Sequence, residues 1–357
     1  MGLRMALIYG GQSGEHEVSV MSASSVVKAV GEEIEVLPIG ITKDGQWLSG
    51  LSPEKLQENG KLSVEPVGGD VDYSILQSPS GFLLSNLKEQ VDLVFPLLHG
   101  PMGEDGTIQG LLELAGVPYV GGGVAASAVG MDKALMKAVF RQQGLPVGDY
   151  RVYLRKEWEA EPERIIREIE KDLGYPCFIK PANMGSSVGI SKASDRESLK
   201  KALLLASTYD RKMVIEAFLD GREVECAVLG NDFPEASVPG EIIPGDEFYN
   251  YEDKYIKNES KLLIPAPLSP EKEQEIRDLA IKVFKAIDCA GMGRVDFFVL
   301  KEDGRVIVNE INTIPGFTRI SMYPKLWEAS GIAYPQLIKR LIELALERYK
   351  DKKRNRN

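Results

Sequence analysis

Alternating apolar and polar residues mark two neighbouring segments near the C-terminal end of the chain as β-strands. Residues 293–300 (GRVDFFVL) and 305–312 (RVIVNEIN) are rich in β-branched and aromatic side chains, which favour strands. Residues 302–304 (EDG) separate them, a composition typical of a hairpin turn with glycine in the left-handed conformation. A three-residue loop pairs Lys301 with Arg305.

This register predicts which polar side chains lie together at the end of the hairpin far from the turn. Asp296 falls opposite Glu310. Arg294 falls opposite Asn312, and all four side chains share one face because side chains alternate with a period of two. A one-residue slip would scatter them. The other face is the predicted core side, and it carries Val295, Phe297, Val299, Ile307 and Ile311.

Two carboxylates directly opposite each other repel, since their Cβ atoms lie about 5 Å apart. A divalent cation relieves that repulsion, and oxygen ligands such as Asp296, Glu310 and the Asn312 amide suit Mg²⁺, which keeps positions for water and phosphates. The simpler alternative is an ion-pair network among Arg294, Asp296 and Glu310 at a strand end. The hairpin alone leaves both interpretations open.

The first third of the chain alternates short apolar strands with helical patterns. Strands are predicted over residues 5–11, 33–41 and 91–98, and helices over residues 20–30 and 108–115. The glycine-rich turn after the first strand and the loop 99–107 are typical ligand sites of open α/β folds. Residues 1–128 are therefore predicted to form a βαβ-type domain, within which residues 45–90 have no clear pattern.

A glycine- and serine-rich loop lies between two apolar runs in the centre of the chain. Residues 182–189 (ANMGSSVG) follow a predicted strand that ends near Lys180. Backbone N–H groups and hydroxyls of this composition suit a mobile flap over phosphate oxygens, with Lys180 as a fixed positive charge. A plain hairpin turn is the alternative. Helices are predicted on either side of this region, over residues 131–144, 162–173 and 270–289.

A second strand–turn–strand segment, residues 213–231, has the parts of an adenosine site. Glu216 and Glu223 flank its turn, and the apolar Phe218 and Leu219 lie between them. Such a site needs an apolar clamp for the base, an acceptor for its amino group and a carboxylate for the ribose. Solvent-facing glutamates beside a turn are the alternative.

Two further segments complete the pattern. Residues 245–260 carry four aromatic and seven charged side chains without a period, which suggests a functional lid. Residues 314–318 and Ser321 form a loop after the second hairpin strand. The amphipathic helix predicted over 334–349 is interpreted as structural.

Composition narrows the class of protein. A chain of 357 residues with 43% hydrophobic and 27% charged residues fits a soluble protein of two or three domains. The net charge of −10 argues against nucleic acid as the main partner. Neither a signal peptide nor an apolar run of about 20 residues occurs, so no membrane partner is expected. Three widely spaced cysteines fit reduced core thiols of a cytosolic protein, and these are Cys177, Cys226 and Cys289.

Several common sites are disfavoured by motif. Residues 121–126 (GGGVAA) match the dinucleotide pattern G-x-G-x-x-A, but no acidic residue follows near twenty positions on. No P-loop motif occurs. His16 and His99 are the only histidines, which excludes a multi-histidine metal site.

Seven motifs, in this order, resemble the D-alanine–D-alanine ligase family of ATP-grasp enzymes over nearly the whole chain. They are GGQSGEHEVS, HGPMGEDGTIQG, GMDK, FIKPANMGSSVG, EFYNYEDKY, GRVDFF and NEINTIPGFT. The resemblance implies an N-terminal open α/β domain and two α+β domains, 129–222 and 223–357, that clasp ATP. Members of this family join two D-alanines, split ATP to ADP and phosphate, and supply the dipeptide for peptidoglycan.

The resemblance also implies roles for individual residues at the nucleotide. The metal ligands are Asp296, Glu310 and Asn312, for two Mg²⁺ ions with Mn²⁺ as a possible substitute. Residues matched to ATP binding are Lys133, Lys180, Ser187, Glu216, Leu219, Glu223 and Lys254. Ala217 departs from the family, since many members carry lysine there.

Other matches concern the amino-acid substrates. Glu15 matches the carboxylate that holds the first D-alanine's ammonium, with Ser186 and Tyr255 as hydroxyls linked to it. Arg294 and the Gly316 N–H match the donors to the tetrahedral oxyanion. Gly316 and Ser321 match the binders of the second carboxylate, with the apolar Met322 beside them. His99 resembles the histidine beside the second amine.

Two other activities stay open. A ligase that joins D-alanine to D-lactate or D-serine has the same motifs, although Tyr255 favours alanine. A nucleotide-binding sensor without catalysis has no need of Arg294. The resemblance further suggests a homodimer in the cytoplasm.

Overall fold

An open, mostly parallel sheet forms the N-terminal part of the fold. The computed structural model describes residues 2–48, 87–243 and 261–355. The first elements are β1 (Leu3–Gly10), α1 (His16–Ala29), β2 (Ile34–Ile41), β3 (Trp47–Leu48), α2 (Leu87–Gln90), β4 (Leu93–Leu97) and α3 (Thr107–Ala115). Their sheet has the order β3-β2-β1-β4, with β1 parallel to both β2 and β4. The three strands and two helices predicted here from patterning are confirmed.

A second, antiparallel sheet occupies the centre of the chain. Its elements are α4 (Val124–Met131), α5 (Lys133–Gln142), β5 (Tyr150–Leu154), α6 (Arg155–Ala160), α7 (Pro162–Asp172), β6 (Cys177–Pro181), β7 (Ser191–Ala193), α8 (Arg196–Tyr209) and β8 (Lys212–Ala217). The strand order is β5-β8-β6-β7. Helix α7 buries Ile165, Ile166 and Ile169 in the core of this sheet and exposes its charged residues, as expected from helical periodicity.

A third sheet, also antiparallel, carries the hairpin. Its elements are β9 (Gly221–Gly230), β10 (Glu235–Ala236), β11 (Gly240–Ile243), β12 (Lys261–Leu263), α9 (Pro270–Ala286), β13 (Gly291–Leu300), β14 (Val306–Asn312), α10 (Met322–Ala329) and α11 (Tyr334–Lys352). The order is β12-β11-β9-β13-β14, and β10 pairs with the end of β9 on the same edge as β11. Helix α9 buries Ile276, Val283 and Phe284 against this sheet.

The predicted pairing at the far end of the hairpin is confirmed, but the predicted turn is wrong. Arg294 pairs with Asn312 and Asp296 pairs with Glu310. Near the turn, however, the Leu300 N–H donates to the Arg305 carbonyl oxygen, so the loop has four residues instead of three. A β-bulge next to Phe297 restores the register. The longer loop and the bulge cancel, since each displaces the pairing by one residue.

On β14, the bulge reverses the faces of the residues between it and the turn. Ile307 pairs with Phe298 and lies on the face of Asp296, so its predicted place on the core side is wrong. Val306 and Val308 take the core positions, together with Ile311. The spacing of these three residues is two and then three, which is the sequence signal of one extra residue in the strand.

One continuous core connects the N-terminal sheet to the C-terminal helices. Phe317, in the loop after β14, is fully buried, and its ring centroid lies 5.6 Å from that of Phe95 on β4. The Tyr334 hydroxyl donates to the Phe317 carbonyl oxygen at 2.6 Å. The same cluster contains Tyr9 from β1 and Leu337 from α11. The first and last parts of the chain therefore fold against each other and fix the loop between β14 and α10.

The described residues also bear on the remaining sequence predictions. All three cysteines are free and buried, as predicted. In the described ranges no helix has both the length and the apolar composition of a membrane span. The predicted domain boundaries at residues 128 and 222 fall inside α4 and β9, and the division into three domains stays a prediction. The predicted lid over 245–260 lies outside the described residues, as does most of the segment 45–90.

Candidate active site

A cavity of about 810 Å³ lies where the three sheets meet, within the usual size range of ligand pockets. Every predicted site residue in the described part of the chain lines it. They are Glu15, His99, Lys133, Lys180, Ser186, Ser187, Glu216, Leu219, Glu223, Arg294, Asp296, Glu310, Asn312, Gly316 and Ser321. Lys254 and Tyr255 lie outside the described residues.

The polar face of the hairpin forms one wall of the cavity. The Arg294 guanidinium donates to both carboxylate oxygens of Asp296, at 2.8 and 2.7 Å. The Asn312 amide donates to the same carboxylate at 3.0 Å. Lys133 Nζ, from the start of α5, lies 3.9 Å from Glu310 Oε2. The three predicted metal ligands and the ion pair of the alternative interpretation, Arg294 with Asp296, thus lie in the same cluster.

The chemistry of this cluster fits a hard divalent cation. Asp296, Glu310 and Asn312 offer carboxylate and amide oxygens, which Mg²⁺ prefers. Among the described residues no group of three or more His, Cys, Asp and Glu side chains is arranged to hold a metal. Two carboxylates and an amide leave positions at an Mg²⁺ ion for water and phosphate.

Glu225 is a charged neighbour of this cluster that sequence reasoning missed. It lies on β9 directly opposite Asp296, and its carboxylate Oε2 is 3.0 Å from Arg294 Nε. Its side chain is buried. One guanidinium therefore bridges two carboxylates, which helps to offset the repulsion between Glu225 and Asp296.

The other end of the cavity has a carboxylate held by two lysines. Glu216 Oε2 accepts a hydrogen bond from Lys180 Nζ at 2.8 Å, and its Oε1 lies 3.2 Å from Lys137 Nζ. Burial raises the pKa of Glu216, but Lys137 and Lys180 lower it to about 2. The carboxylate is therefore ionised in any physiological buffer. Lys137 was also missed from the sequence, although it follows Lys133 by four residues on α5 and so lies on the same helix face.

Apolar side chains cover this end, as an adenine ring requires. Phe178 and Phe218 stack with ring centroids 6.2 Å apart, and Leu219 lies beside them in the cavity wall. Lys192 Nζ lies 5.4 Å from the Phe218 ring centroid. Ala217 also lines the cavity.

The glycine- and serine-rich loop, the predicted flap, contacts Glu15 at the start of α1. The Ser186 hydroxyl donates to the Glu15 carboxylate, and Lys133 Nζ donates to the Met184 carbonyl oxygen at 2.8 Å. Ser186 and Ser187 have φ angles of 49° and 60°, a conformation that non-glycine residues seldom adopt outside functional loops.

Two glycines allow the backbone to surround the Glu15 carboxylate. A Cβ atom at Gly100 or at Gly185 would lie 2.8 Å from Glu15 Oε2. Real Cβ atoms do not approach oxygen so closely, so larger residues would displace the carboxylate. Gly100 belongs to the loop after β4 and Gly185 to the flap, which ties the position of Glu15 to two separate segments.

Glu104 is a second buried carboxyl group near Glu15 that sequence reasoning missed. Its oxygens accept hydrogen bonds from the Gly100 N–H at 2.8 Å and from the Ile314 N–H at 3.1 Å. Burial and then the charge of Glu15 raise the pKa of Glu104 to about 8, against the effect of the two N–H donors. Glu104 therefore fastens the loop after β4 to the loop after β14.

His99 is buried, with both ring nitrogens in contact. Nδ1 lies 3.0 Å from the Ile314 carbonyl oxygen, which makes Nδ1 the protonated atom. Nε2 lies 3.3 Å from Ser22 Oγ, and that hydroxyl accepts the Phe317 N–H at 3.3 Å. Burial lowers the pKa of His99 against the opposing effect of the Glu15 charge, which favours the neutral ring.

The loop after β14 ends at a helix N-terminus. Ser321 precedes α10, and its hydroxyl lies 2.7 Å from Thr318 Oγ1 and accepts from the Thr318 N–H at 3.2 Å. Gly316 lies in the same loop, whose path is fixed by buried Phe317. A helix N-terminus with a serine beside it is a suitable site for a carboxylate.

Comparison with known proteins gives one family over nearly the whole chain. Residues 4–122 match the family model "D-ala D-ala ligase N-terminus", and residues 139–343 match "D-ala D-ala ligase C-terminus". The D-alanine–D-alanine ligase of Ruminiclostridium cellulolyticum is 53% identical, with 98% of this chain and 97% of that protein covered. The enzyme of the same name from Bacillus cytotoxicus is 48% identical, with 99% and 98% covered.

Two solved structures are also similar. The D-alanine–D-alanine ligase of Coxiella burnetii has a TM-score of 0.83 and 38% identity, with 99% of this chain and 96% of that chain covered. The VanG D-Ala:D-Ser ligase of Enterococcus faecalis has a TM-score of 0.82 and 37% identity, with 97% and 100% covered.

Proposed function

Since the chain belongs to the D-alanine–D-alanine ligase family, we propose that it joins two D-alanines into a dipeptide for peptidoglycan and splits ATP to ADP and phosphate. Its fold is the ATP-grasp fold of that family. The observation that carries the proposal is the single cavity in which the acidic face of the hairpin, the Glu216 cluster and Glu15 meet. Separate binding sites for metal, nucleotide and amino acid would not support a ligation.

The reaction needs an activated carboxylate. A free carboxylate is a poor electrophile, because its leaving group would be oxide. Transfer of the γ-phosphoryl group gives an acyl phosphate, and the amine of the second amino acid displaces phosphate from it. This transfer depends on positioning and on fixed positive charge more than on covalent help from the protein. Lys133 and Lys180 supply that charge from α5 and β6.

Asp296, Glu310 and Asn312 are the residues we assign to two Mg²⁺ ions, with Mn²⁺ as a substitute. When bound, the metal neutralises charge on the phosphate oxygens. The fit rests on the donor set and on charge. Asp296 is paired with Arg294 and accepts a hydrogen bond from Asn312, and a dication is a stronger partner for the same oxygens. If a metal ion binds the Asp296 carboxylate, Arg294 still has Glu225 as an ion-pair partner.

We assign the Phe178–Phe218 end of the cavity to adenine and Glu223 to the ribose. Leu219 contributes its backbone to the base, and Ser187 in the flap covers the phosphates. Lys254, in the lid, completes the phosphate site in this proposal.

The first D-alanine is placed at Glu15. The Glu15 carboxylate holds the substrate ammonium, and Ser186 joins the flap to it. Tyr255 is assigned to the same group of hydroxyls. Gly100 and Gly185 lie close to the Glu15 carboxylate. A side chain at either position would therefore crowd the place where the ammonium is held.

The second D-alanine is placed against the loop after β14. The Gly316 N–H and Ser321 bind its carboxylate, and Met322 gives an apolar wall. Arg294 and the Gly316 N–H stabilise the tetrahedral oxyanion, where charge develops only during the reaction. His99 is assigned to the neighbourhood of the attacking amine. With both nitrogens engaged, its geometry supports orientation of that amine more than direct removal of its proton.

One assay separates this proposal from its alternatives. Phosphate release is measured with ATP, Mg²⁺ and D-alanine, and then with D-lactate or D-serine in competition at neutral pH. We expect release that depends on D-alanine and a D-alanyl-D-alanine product by mass spectrometry. The similarity to a D-Ala:D-Ser ligase is the reason to include D-serine. Preferred use of D-lactate or D-serine would contradict the substrate assignment, and nucleotide binding without phosphate release would indicate a sensor. We further propose a homodimer in the cytoplasm, which sedimentation and cell fractionation test.

A further inference from the structure

Lys137 is a buried cation that the proposed reaction does not use. It lies one turn after Lys133 on α5, its side chain is 3% exposed, and it does not line the cavity. Its Nζ lies 3.2 Å from Glu216 Oε1 and donates to the Asn309 carbonyl oxygen at 3.2 Å. A buried ammonium is costly unless it is paired, so a lysine at this place needs both contacts.

Its two partners belong to opposite walls of the cavity. Glu216 lies on β8 of the second sheet, whereas Asn309 lies on β14 of the third. Asn309 is the extra residue of the bulge, between Val308, which pairs with Phe297, and Glu310, which pairs with Asp296. Lys137 therefore joins the nucleotide end of the site to the strand that carries Glu310.

The charges at Glu216 do not balance. One carboxylate faces two ammonium groups, Lys137 and Lys180, so the cluster of three carries a net positive charge. Only Lys180 lines the cavity, and it lies at the end of β6 where the flap begins. Of the two lysines, Lys180 is the one placed to reach a phosphate.

We propose that Lys137 is a positioning residue that keeps Glu216 paired and the bulge at Asn309 in place, so that Lys180 can turn from Glu216 to the phosphates of ATP. This inference deepens the proposed function and rests on it. Without Lys137, Lys180 is the remaining cation on a buried carboxylate, and each move toward a phosphate would leave Glu216 unpaired. The expected loss is therefore a loss of affinity for phosphate, not for adenine.

The test compares ligands with and without phosphates in the intact protein. The variants are Lys137→Met, which keeps the side-chain length without the charge, and Lys137→Arg, which restores it. Lys201→Met on the exposed face of α8 is the matched control, since Lys201 is 77% exposed. Displacement of a fluorescent ATP analogue by ADP and by adenosine gives the two affinities, and circular dichroism checks the fold.

We expect Lys137→Met to lower ADP affinity by about tenfold or more, the effect of one charge-assisted hydrogen bond, with a much smaller change for adenosine. Lys137→Arg should recover most of the ADP affinity, and Lys201→Met should resemble the wild type. Equal losses for ADP and adenosine, or no loss for either, would overturn the inference. A wild-type protein that binds no nucleotide would instead contradict the proposed function.

A double variant keeps the test decisive if Lys137→Met does not fold. Glu216→Gln removes the charge that would hold Lys180, so Lys137→Met combined with Glu216→Gln should fold. The ratio of ADP affinity to adenosine affinity in this double variant should be close to the ratio in Glu216→Gln alone. A ratio far below that of Glu216→Gln would show that Lys137 acts on the phosphates by another route and would refute the role assigned here.

Discussion

Asp296 is the residue on which the charged side chains of the cavity converge. It accepts hydrogen bonds from Arg294 and Asn312 and lies between Glu225 and Glu310 on the neighbouring strands. Three acidic residues in one row across a sheet are electrostatically unfavourable unless cations accompany them. Arg294 supplies one positive charge, and the proposed metal supplies more.

Loss of charge at either acidic hairpin position should stop turnover without unfolding the protein. For Glu310→Gln and Asp296→Asn we expect kcat to fall by roughly 100-fold or more, because electrostatic stabilisation of the phosphoryl transfer is lost. Phosphate release gives the rate, and thermal unfolding of Glu310→Gln should change little. Asp303→Asn, on the exposed turn of the same hairpin, is the control. Wild-type rates in either acidic variant would refute the ligand assignment.

Glu104 makes the stability of the protein depend on pH. Its pKa is raised from 4.5 to about 8 in the folded protein by burial and by the charge of Glu15. Between these two values the unfolded chain has lost a proton that the folded protein still holds, so the contribution of this group to stability falls as the pH rises.

Replacement of Glu104 by Gln should remove this slope. The variant loses one backbone hydrogen bond, so its melting temperature should lie below that of the wild type at pH 5. The difference should shrink toward pH 8.5, because only the wild type is destabilised by ionisation. Thermal unfolding at several pH values measures it, with the exposed Glu275→Gln as control. A difference that does not vary with pH would contradict the buried, protonated state of Glu104.

At the scale of elements, helix α5 connects the halves of the site. It presents Lys133 toward Glu310 and the flap and Lys137 toward Glu216 and Asn309. Asp132 is the N-cap of this helix, and its side chain accepts from the Ala134 and Leu135 N–H groups, both at 3.1 Å. This cap fixes the first turn of the helix, and with it the direction of Lys133.

Substitution at the cap should therefore affect both stability and nucleotide binding. For Asp132→Ala we expect a loss of about 1–2 kcal/mol in the free energy of unfolding and a weaker affinity for ADP. Lys212, which is paired with Asp132, also loses its partner. Asp132→Asn retains an acceptor for the helix N-terminus and should recover most of the capping contribution. Denaturant titration and ADP displacement measure the two effects, and equal stability of the Ala and Asn variants would count against the cap.

At the scale of the whole molecule, the site is assembled from segments far apart in sequence. Glu15 meets Ser186, and Glu104 meets the Ile314 N–H. His99 contacts the Ile314 carbonyl oxygen, and the Ser22 hydroxyl contacts Phe317. Helix α1 with its preceding residue Glu15 and the loop after β4 thus hold both the flap and the loop after β14. We infer that binding of the nucleotide is coupled to the order of the flap, the usual behaviour of loops that exclude water from a reaction.

Hydrogen exchange tests this coupling directly. Peptides that cover residues 182–190 should exchange more slowly when ATP and Mg²⁺ are present, because the flap then covers the phosphates. Peptides from the buried strand β1 serve as the internal control and should not change. Ser186→Ala should reduce the added protection, since it removes the contact with Glu15. Equal protection of the flap with and without ATP would count against closure on the nucleotide.

Much of the fold and of the site was contained in the sequence. Helical periodicity located α1, α3, α5, α7, α9 and α11, and alternation located the strands of the hairpin, because burial imposes a period on apolar residues. The order of seven motifs indicated the family and, with it, every predicted residue that lines the cavity. The pairing of Asp296 with Glu310 was right, although it was reached through a turn that is one residue too short.

The tertiary structure alone decided which buried groups support that site. Lys137, Glu225 and Glu104 carry no motif, and their importance comes from contacts across sheets and between loops. The bulge at Asn309 and the place of Ile307 became clear from the pairing of β13 with β14, although the spacing of the apolar residues on β14 carries a trace of the bulge. Periodicity records burial on one element at a time, whereas charge pairing and register depend on neighbours that are distant in the chain. That is why patterning predicted the elements and the motifs predicted the residues that line the cavity, while folding fixed the network that holds those residues.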